Sequence, residues 1–334
     1  MTEPILIADI GGTNARFALA KLSGDQVDII ETRKYLAEDF ETVCDAAKHY
    51  LETFSVQPKI ACFAVAGPVT DEQVEFTNSQ WVLNIADVQK SLSLSRLAAV
   101  NDFEALAAGV RSLREKDFLE IKPGRGDPNA PVVVLGPGTG LGQSLIVPCE
   151  GHERIIPTEG GHVAFAARTE EEFAVMRHIM RDHPRVSVER ILSGPGLVNL
   201  YRALCAIEGA PCNEMLADEI TAAAISGAHA PAVKTVNMFC GLLGSVAGDA
   251  VLSTGARGGV VLGGGILPKI RELFVKSAFV ERFLEKGRMR YFVEDAPVRL
   301  IIGEGAALAG AAAIAIENTA RLGYRLGLGR PQTP

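Results

Sequence analysis

The sequence is short of positive charge. Its 33 Lys and Arg residues against 40 Asp and Glu give a net charge of −7, and the basic residues form no block. Binding to nucleic acid or to anionic membranes needs a basic patch, so we expect neither partner. No apolar run reaches the roughly 18 residues of a membrane helix, and no basic segment precedes a long apolar one near the N-terminus. The sequence therefore predicts a cytoplasmic protein.

The sequence also lacks paired cysteines. Six cysteines stand at positions 44, 62, 149, 205, 212 and 240, and the closest two are seven positions apart. Structural zinc sites and disulfide frameworks use closely spaced pairs, so neither is expected. We predict that most of these residues are buried, apolar thiols.

Two common nucleotide-binding motifs are missing as well. A Walker A loop needs a Gly-Lys-Ser or Gly-Lys-Thr run, and the sequence contains none. A dinucleotide fingerprint needs G-x-G-x-x-G opening a helix, but from Gly136 the sixth position is Leu141. The residues after it, Gln143 to Val147, have a strand pattern. A P-loop enzyme and a nicotinamide dehydrogenase are therefore both disfavoured.

Three glycine clusters follow apolar strands, at positions 11–12, 136–142 and 263–265. Glycine after a strand lets backbone N–H groups approach a ligand, which suits an anionic phosphate. Thr13 and Thr139 occupy matching places in the first two clusters. Asp9 stands where a strand ends, so its carboxylate could hold Mg²⁺ directly or through water. Each turn could also be an ordinary tight hairpin, but three together favour a phosphate site.

A chain of 334 residues with 48% apolar content is large enough for two domains. A strand, a glycine turn and a second strand occur at 5–20 and recur at 132–147, which suggests two related α/β halves. Helical spacing predicts helices over 40–54 and 103–110, and residues 60–65 predict a buried strand. The Ala- and Gly-rich segment 303–320 predicts a helix packed very close to its neighbours.

A capping box at Thr169 to Glu172 predicts a further helix. We expect Phe173, Met176 and Met180 to lie on one face of it, with the two methionines filling the core.

Polar residues at the ends of apolar segments suggest a sugar site. They are Asn78, Asn101, Asp102, Glu159, His162 and Glu189. Sugar hydroxyls both donate and accept hydrogen bonds, so these residue types suit them. Each has another interpretation, since Asp102 could cap a helix, His162 could be structural, and Glu189 could be a solvated charge. Spacing alone does not show that these residues meet.

The motifs resemble those of the proteobacterial glucokinases, within the hexokinase and actin-like ATPase superfamily. The resemblance covers about residues 5–313, and its longest part is 187–202. The matching segments are ADIGGTNAR at 8–16, VNDF at 100–103, GPGTGLG at 136–142, EGGHV at 159–163, SVERILSGPGLVNLYR at 187–202 and GGGI at 263–266. Pro137 departs from the small residue expected in the second turn. The cysteine-rich zinc motif of the related ROK sugar kinases does not follow His162.

The resemblance implies a duplicated ribonuclease H-like (actin-like ATPase) α/β fold, with two domains around a cleft. A small domain would span 1–110, with a C-terminal helix at about 304–320 returning to it, and a large domain would span 111–303. The activity implied is ATP- and Mg²⁺-dependent phosphorylation of D-glucose on its 6-hydroxyl, the first step of sugar catabolism, by a homodimer.

The resemblance also implies residue roles. Asp102 would be the catalytic base and would contact glucose together with Asn78, Asn101, Glu159, His162 and Glu189. The nucleotide-binding set would be Ala8, Asp9, Ile10, Gly11, Gly12, Thr13, Gly138, Thr139, Gly263 and Gly264, with Asp9 as the Mg²⁺ ligand.

Three alternatives stay open. A kinase of the same fold could act on fructose, mannose or an amino sugar. A sugar-responsive repressor is disfavoured, because the first strand begins by Ile5 and leaves no room for a preceding DNA-binding domain. A chaperone-like ATPase would not need the polar set around Asn101 and Glu159.

Overall fold

The computed structural model of the chain describes residues 3–23, 26–67, 69, 73–75 and 81–325. The chain divides into two compact units. Unit 1 comprises Met1–Arg114 with Gly303–Pro334, and unit 2 comprises Glu115–Ile302.

The described residues form both strands and helices. The strands are β1 (Ile5–Ile10), β2 (Asn14–Ser23), β3 (Gln26–Leu36), β4 (Ile60–Val65), β5 (Gln73–Glu75), β6 (Val82–Asn84), β7 (Arg96–Asn101), β8 (Phe118–Lys122), β9 (Val132–Pro137), β10 (Leu141–Cys149), β11 (His152–Thr158), β12 (Gly259–Leu262) and β13 (Val298–Ile301). The helices are α1 (Val43–Phe54), α2 (Ile85–Ser91), α3 (Asp102–Gly109), α4 (Glu170–Ile179), α5 (Gly194–Glu208), α6 (Ala217–Ser226), α7 (Ala230–Thr254), α8 (Arg271–Val275), α9 (Phe279–Leu284), α10 (Arg290–Val293) and α11 (Ala306–Arg325).

The five-stranded sheet of unit 1 has the order β3-β2-β1-β4-β7. The first three strands form an antiparallel meander, and β1, β4 and β7 run parallel. In the parallel register Ile10 lies beside Val65, and Val65 lies beside Asn101. The segments that follow these three strands therefore leave the sheet at the same edge.

The six-stranded sheet of unit 2 repeats this arrangement. Its order is β11-β10-β9-β12-β13-β8, in which β9, β10 and β11 form the meander and β9, β12 and β13 run parallel. An antiparallel strand, β8, is added at the far edge. The predicted duplication of strand, glycine turn and strand is therefore present, with β1–β2 corresponding to β9–β10.

Helices cover both faces of the unit 1 sheet. Successive side chains of β1 point to opposite sides of the sheet, and because they are apolar on both sides, both faces are packed against helices. Leu6, Ala8 and Ile10 pack with α1, whereas Ile5 and Ile7 pack with α11. The start of α1 differs from its predicted position at 40. The helix begins at Val43, because the side chain of Thr42 accepts a hydrogen bond from the Asp45 amide at 3.2 Å and caps it.

Two glycines bring the backbones of α3 and α11 into contact. A Cβ on Gly109 would lie 1.9 Å from the carbonyl oxygen of Ala306, and one on Gly310 would lie 1.7 Å from that of Ala105. Neither position can hold a larger residue without separating the helices. The predicted close packing of the Ala- and Gly-rich segment is thus confirmed, and it holds the helix that begins at Asp102.

The core of unit 2 surrounds α7. This helix is the one among the described residues that is long and apolar enough to cross a membrane, but 72% of its apolar window is buried inside the protein. Helices at the centre of a large globular core have the same composition. Its buried side chains, including Phe239 and Leu243, belong to the main cluster of unit 2.

The predicted buried face of α4 is wrong. Phe173 is 40% exposed and Met180 is 45% exposed, whereas Val175 and Ile179 are buried. Met176 packs against the core as predicted.

Candidate active site

The first glycine turn joins β1 to β2 in unit 1. The amide of Gly11 donates to the carbonyl of Asn14 at 2.9 Å, which closes the turn. The carbonyl of Thr13 accepts from the Ala37 amide at 2.9 Å, and the Thr13 residue is exposed. Ala8 and Ile10 are fully buried in β1, so among residues 8–13 a ligand can reach the turn and the partly exposed Asp9.

Asp9 lies opposite Arg16 across this hairpin. The two side chains form an ion pair of 3.5 Å, and the Asp9 side chain is 25% exposed. Burial raises the pKa of Asp9, and the Arg16 guanidinium offsets part of that rise. Mg²⁺ in kinases is commonly held by one or two carboxylates together with substrate phosphates, and a single, partly buried carboxylate beside the first glycine turn fits that role. In the described residues no group of three or more His, Cys, Asp or Glu side chains could hold a metal ion by itself.

Asn101 and Asp102 stand at the same edge of the unit 1 sheet, where β7 passes into α3. The Oδ1 atom of Asn101 accepts from the amides of Phe103 and Glu104, at 2.9 and 3.3 Å. Asn101 is therefore the helix cap, a role that the sequence had left open for Asp102. Asp102 is the first residue of the helix and is half-buried, and its Oδ1 accepts from the Phe103 amide at 2.9 Å.

The second glycine turn joins β9 to β10 in unit 2. The amide of Gly138 donates to the carbonyl of Gly140 at 2.8 Å, and the carbonyl of Gly138 accepts from the Gly194 amide at 2.8 Å. A Cβ on Gly136 would lie 2.3 Å from the carbonyl oxygen of Gly263, and one on Gly264 would lie 2.3 Å from that of Pro137. The second and third glycine clusters therefore pack backbone against backbone, and Gly264 has a φ of 84° that favours glycine.

Three of the predicted sugar residues, Glu159, His162 and Glu189, meet in unit 2. We call them the carboxylate–histidine trio. The Nε2 atom of His162 lies 3.8 Å from Glu159 Oε2 and 3.9 Å from Glu189 Oε1. The exposed fractions of the three side chains are 77% for Glu159, 56% for His162 and 30% for Glu189. These side chains converge and stay accessible, as a site for a polar ligand requires.

Glu189 joins the trio to the second glycine turn. Its Oε2 atom accepts a hydrogen bond of 2.8 Å from the Leu141 amide, while Oε1 faces His162. Leu141 is the strand partner of Pro137, so Glu189 holds β10 at the point where this strand leaves the turn. Glu189 is therefore not a solvated charge, and its position depends on both features.

The two glycines of the EGGH segment let it lie directly on β10. A Cβ on Gly161 would be 2.2 Å from the carbonyl oxygen of Leu141, and one on Gly160 would be 2.4 Å from the side-chain amide of Gln143. Arg185 donates to the carbonyl of His162 at 2.7 Å and fixes its backbone from the other side.

Sequence reasoning missed these supporting residues. Arg16 could have been found, because a hairpin with its turn at 11–13 places positions 9 and 16 opposite each other. No sequence signal marks Gln143 or Arg185, because their partners come from other segments. Asn78 lies outside the described residues.

The whole sequence was compared with known proteins. The family model described as Glucokinase matches residues 6–318. The chain belongs to the glucokinase family. A glucokinase of Saccharophagus degradans is 42% identical over 313 residues, which are 93% of this chain and 97% of that protein. The crystal structure of a glucokinase from an Antarctic psychrotroph has a TM-score of 0.83 and 37% identity, covering 95% of this chain and 100% of the other.

A more distant structure shares the fold. A ROK family glucokinase from Streptomyces griseus, crystallised with glucose and AMPPNP, has a TM-score of 0.64 at 19% identity, covering 94% of this chain and 99% of that one. The predicted α/β fold of the actin-like ATPase type is thereby confirmed. The predicted enzyme class, an ATP-dependent glucokinase that forms glucose 6-phosphate, is confirmed by the family match.

Proposed function

We propose that Asp102 and the carboxylate–histidine trio bind D-glucose and that the two glycine turns bind ATP. The observation that carries this assignment is the position of Glu189. Its Oε1 atom faces His162 of the trio, and its Oε2 atom accepts from the Leu141 amide at the second turn. A residue that contacts both features suits an enzyme whose sugar and nucleotide sites are neighbours. The glucose and AMPPNP in the Streptomyces griseus complex suit the same pair of substrates.

In the proposed reaction Asp102 accepts the proton of the glucose 6-hydroxyl as that oxygen attacks the γ-phosphorus. The bond between the γ-phosphorus and the β,γ-bridging oxygen breaks, ADP leaves, and the proton stays on the Asp102 carboxyl until solvent removes it. Phosphoryl transfer requires mostly positioning and charge neutralisation, so one oriented base with a fixed phosphate suffices. The first turn of α3 orients Asp102 through the Phe103 amide.

On the nucleotide side, the Gly11–Thr13 turn and the Gly138–Thr139 turn would offer backbone N–H groups to the phosphates, with Gly263 and Gly264 beside the second turn. Asp9 would hold Mg²⁺ directly or through water. When bound, the ion neutralises phosphate charge. Because Asp9 is a single carboxylate, we infer that the ion is held jointly with the nucleotide.

Further parts of the proposal concern the whole protein. We infer a small domain of residues 1–110 with the returning helix at about 304–320, and a large domain of 111–303; the bounds of the two compact units, Arg114 and Ile302, support this division. We also infer a cytoplasmic homodimer. Size-exclusion chromatography with light scattering tests the dimer, and a single-chain mass would contradict it.

A panel of sugars in an ADP-coupled assay tests the substrate assignment. Glucose, fructose, mannose and glucosamine are compared by kcat/KM with the wild-type protein and with Glu159→Ala. We expect glucose to have the highest kcat/KM, and Glu159→Ala to raise the glucose KM with the ATP KM unchanged. A higher kcat/KM for another sugar contradicts glucose as the substrate, and a rise confined to the ATP KM contradicts the assignment of the trio.

A further inference from the structure

One short segment of unit 2, residues 189–194, contacts the second glycine turn at two points. At the first residue of the segment, Oε2 of Glu189 accepts from the Leu141 amide at 2.8 Å. At its last residue, the Gly194 amide donates to the carbonyl of Gly138 at 2.8 Å. The segment therefore holds the turn both within the turn, at Gly138, and at Leu141, where β10 begins.

Ser193 joins the two ends of this segment. Its Oγ atom accepts from the Gly196 amide at 3.0 Å, which caps α5, and lies 2.8 Å from the carbonyl oxygen of Glu189. A carbonyl oxygen can only accept, so the single hydroxyl proton of Ser193 points to Glu189. Ser193 is 1% exposed, so water does not compete for either hydrogen bond.

Helix α5 packs closely against the same segment. A Cβ on Gly196 would lie 2.5 Å from the carbonyl oxygen of Ile191, so glycine lets the start of the helix lie this near. From the second turn of α5, the side chain of Asn199 donates to the carbonyl of Arg190 at 3.0 Å. Contacts from α5 and its cap therefore fix three successive residues of the segment, beginning with Glu189.

We propose that Ser193 is a positioning residue for the kinase reaction. Its hydroxyl fixes the backbone of Glu189, so that one carboxylate oxygen meets the Leu141 amide and the other faces His162. The buried Ser193 acts through Glu189 rather than by touching the sugar. This inference rests on the proposed function, in which the carboxylate–histidine trio binds glucose. A helix cap with no further role would stabilise α5 and leave the affinity for the sugar unchanged.

A double-mutant cycle on the glucose KM separates positioning from capping. We expect Ser193→Ala to raise the glucose KM about five-fold, compared with about ten-fold for Glu189→Ala, and to change kcat by less than about two-fold. In the Glu189→Ala background no carboxylate is left to position, so adding Ser193→Ala should change the glucose KM by less than about two-fold. The same factor in both backgrounds, or an unchanged glucose KM in Ser193→Ala, overturns the proposal.

Two further variants separate the hydroxyl from the loss of a helix cap. Ser193→Thr keeps a hydroxyl that can cap α5 and donate to Glu189, so its glucose KM should stay within about two-fold of the wild type. Thr42→Ala removes the cap of α1, which accepts from the Asp45 amide at 3.2 Å, and should lower stability in urea unfolding with the glucose KM unchanged. A glucose KM raised as much in Ser193→Thr as in Ser193→Ala overturns the proposal. A rise in Thr42→Ala also does, because it would show that losing any cap weakens sugar binding.

The Glu189→Ala arm distinguishes failure of this inference from failure of the proposed function. If Glu189→Ala leaves the glucose KM unchanged, the trio does not bind glucose, and both the proposed function and the role of Ser193 fail. If Glu189→Ala raises the glucose KM and Ser193→Ala does not, the sugar site stands and the positioning role alone fails. One helix cap is a small part of the stability of a folded domain, so we expect every variant to fold.

Discussion

Replacing Gly310 with alanine should separate α11 from α3 and lower turnover. The added Cβ would lie 1.7 Å from the carbonyl oxygen of Ala105, and carbon atoms do not approach such oxygens closer than about 3.0 Å. The helices must therefore move apart by about 1.3 Å or distort. The clashing atom belongs to the backbone, so a side-chain rotation cannot relieve the contact.

Two free-energy terms oppose each other in this variant. Alanine is favoured over glycine in a helix by about 1 kcal/mol, but overpacking costs about 1–3 kcal/mol and more where backbone must shift. We expect a net loss of unfolding free energy of about 1–2 kcal/mol. Because α3 begins at Asp102, and a misplacement of about 1 Å can cost about 10²-fold in rate, kcat should fall by about 10- to 100-fold.

Urea unfolding and steady-state kinetics of Gly310→Ala test this reasoning. The matched control is Gly241→Ala, at a buried helical glycine of α7 where a Cβ would meet its nearest neighbours at 3.7 and 3.8 Å. The control should keep kcat and gain up to about 1 kcal/mol of stability. Unchanged stability and kcat in Gly310→Ala would refute the close packing of α3 and α11.

Three further predictions concern separate parts of the molecule. Glu189→Gln keeps an acceptor for the Leu141 amide and should raise the glucose KM alone, whereas Glu189→Ala should raise the glucose KM and the ATP KM by about ten-fold each. Equal changes of the ATP KM in the two variants would contradict the anchoring role of Glu189. Ser55 and Ser93 have left-handed backbones, with φ of 50° and 54°, so each change to glycine should stabilise the protein by about 1 kcal/mol in urea unfolding, and Ser55→Ala should give no such gain. Burial raises the pKa of Asp9, so ionisation of this carboxyl opposes folding above its folded-state pKa and has no effect below the unfolded value of about 3.9. Asp9→Asn should therefore increase the free energy of unfolding at neutral pH and lose that advantage in acid. A stability gain that grows in acid would contradict a raised pKa.

Local patterns predicted the parts of the fold that depend on neighbouring residues. The strand predicted over 60–65 is β4, and both strand–turn–strand repeats are hairpins, because apolar runs and glycine turns determine them locally. The start of α1 was predicted too early, since helical spacing does not reveal that Thr42 caps the helix.

Long-range pairs explain what the sequence could not predict. Glu172 is 4% exposed within α4 because Arg282, 110 positions away, lies 2.8 Å from its carboxylate. The buried face of α4 therefore includes Glu172 together with Val175 and Ile179, and Met180, which follows the helix, is exposed. The same limit applies to the candidate site, where residue types identified the trio but not the hydrogen bond between Glu189 and the Leu141 amide.

The role of Asp102 is the central claim, and the turnover of Asp102→Asn with ATP and glucose tests it most directly. Asparagine keeps an oxygen that can accept from the Phe103 amide but cannot take the proton of the glucose 6-hydroxyl. We predict that kcat falls by about 10²- to 10⁴-fold while glucose binding, measured by calorimetry, stays within a few-fold of the wild type. A near-normal kcat in this variant would show that another group is the base.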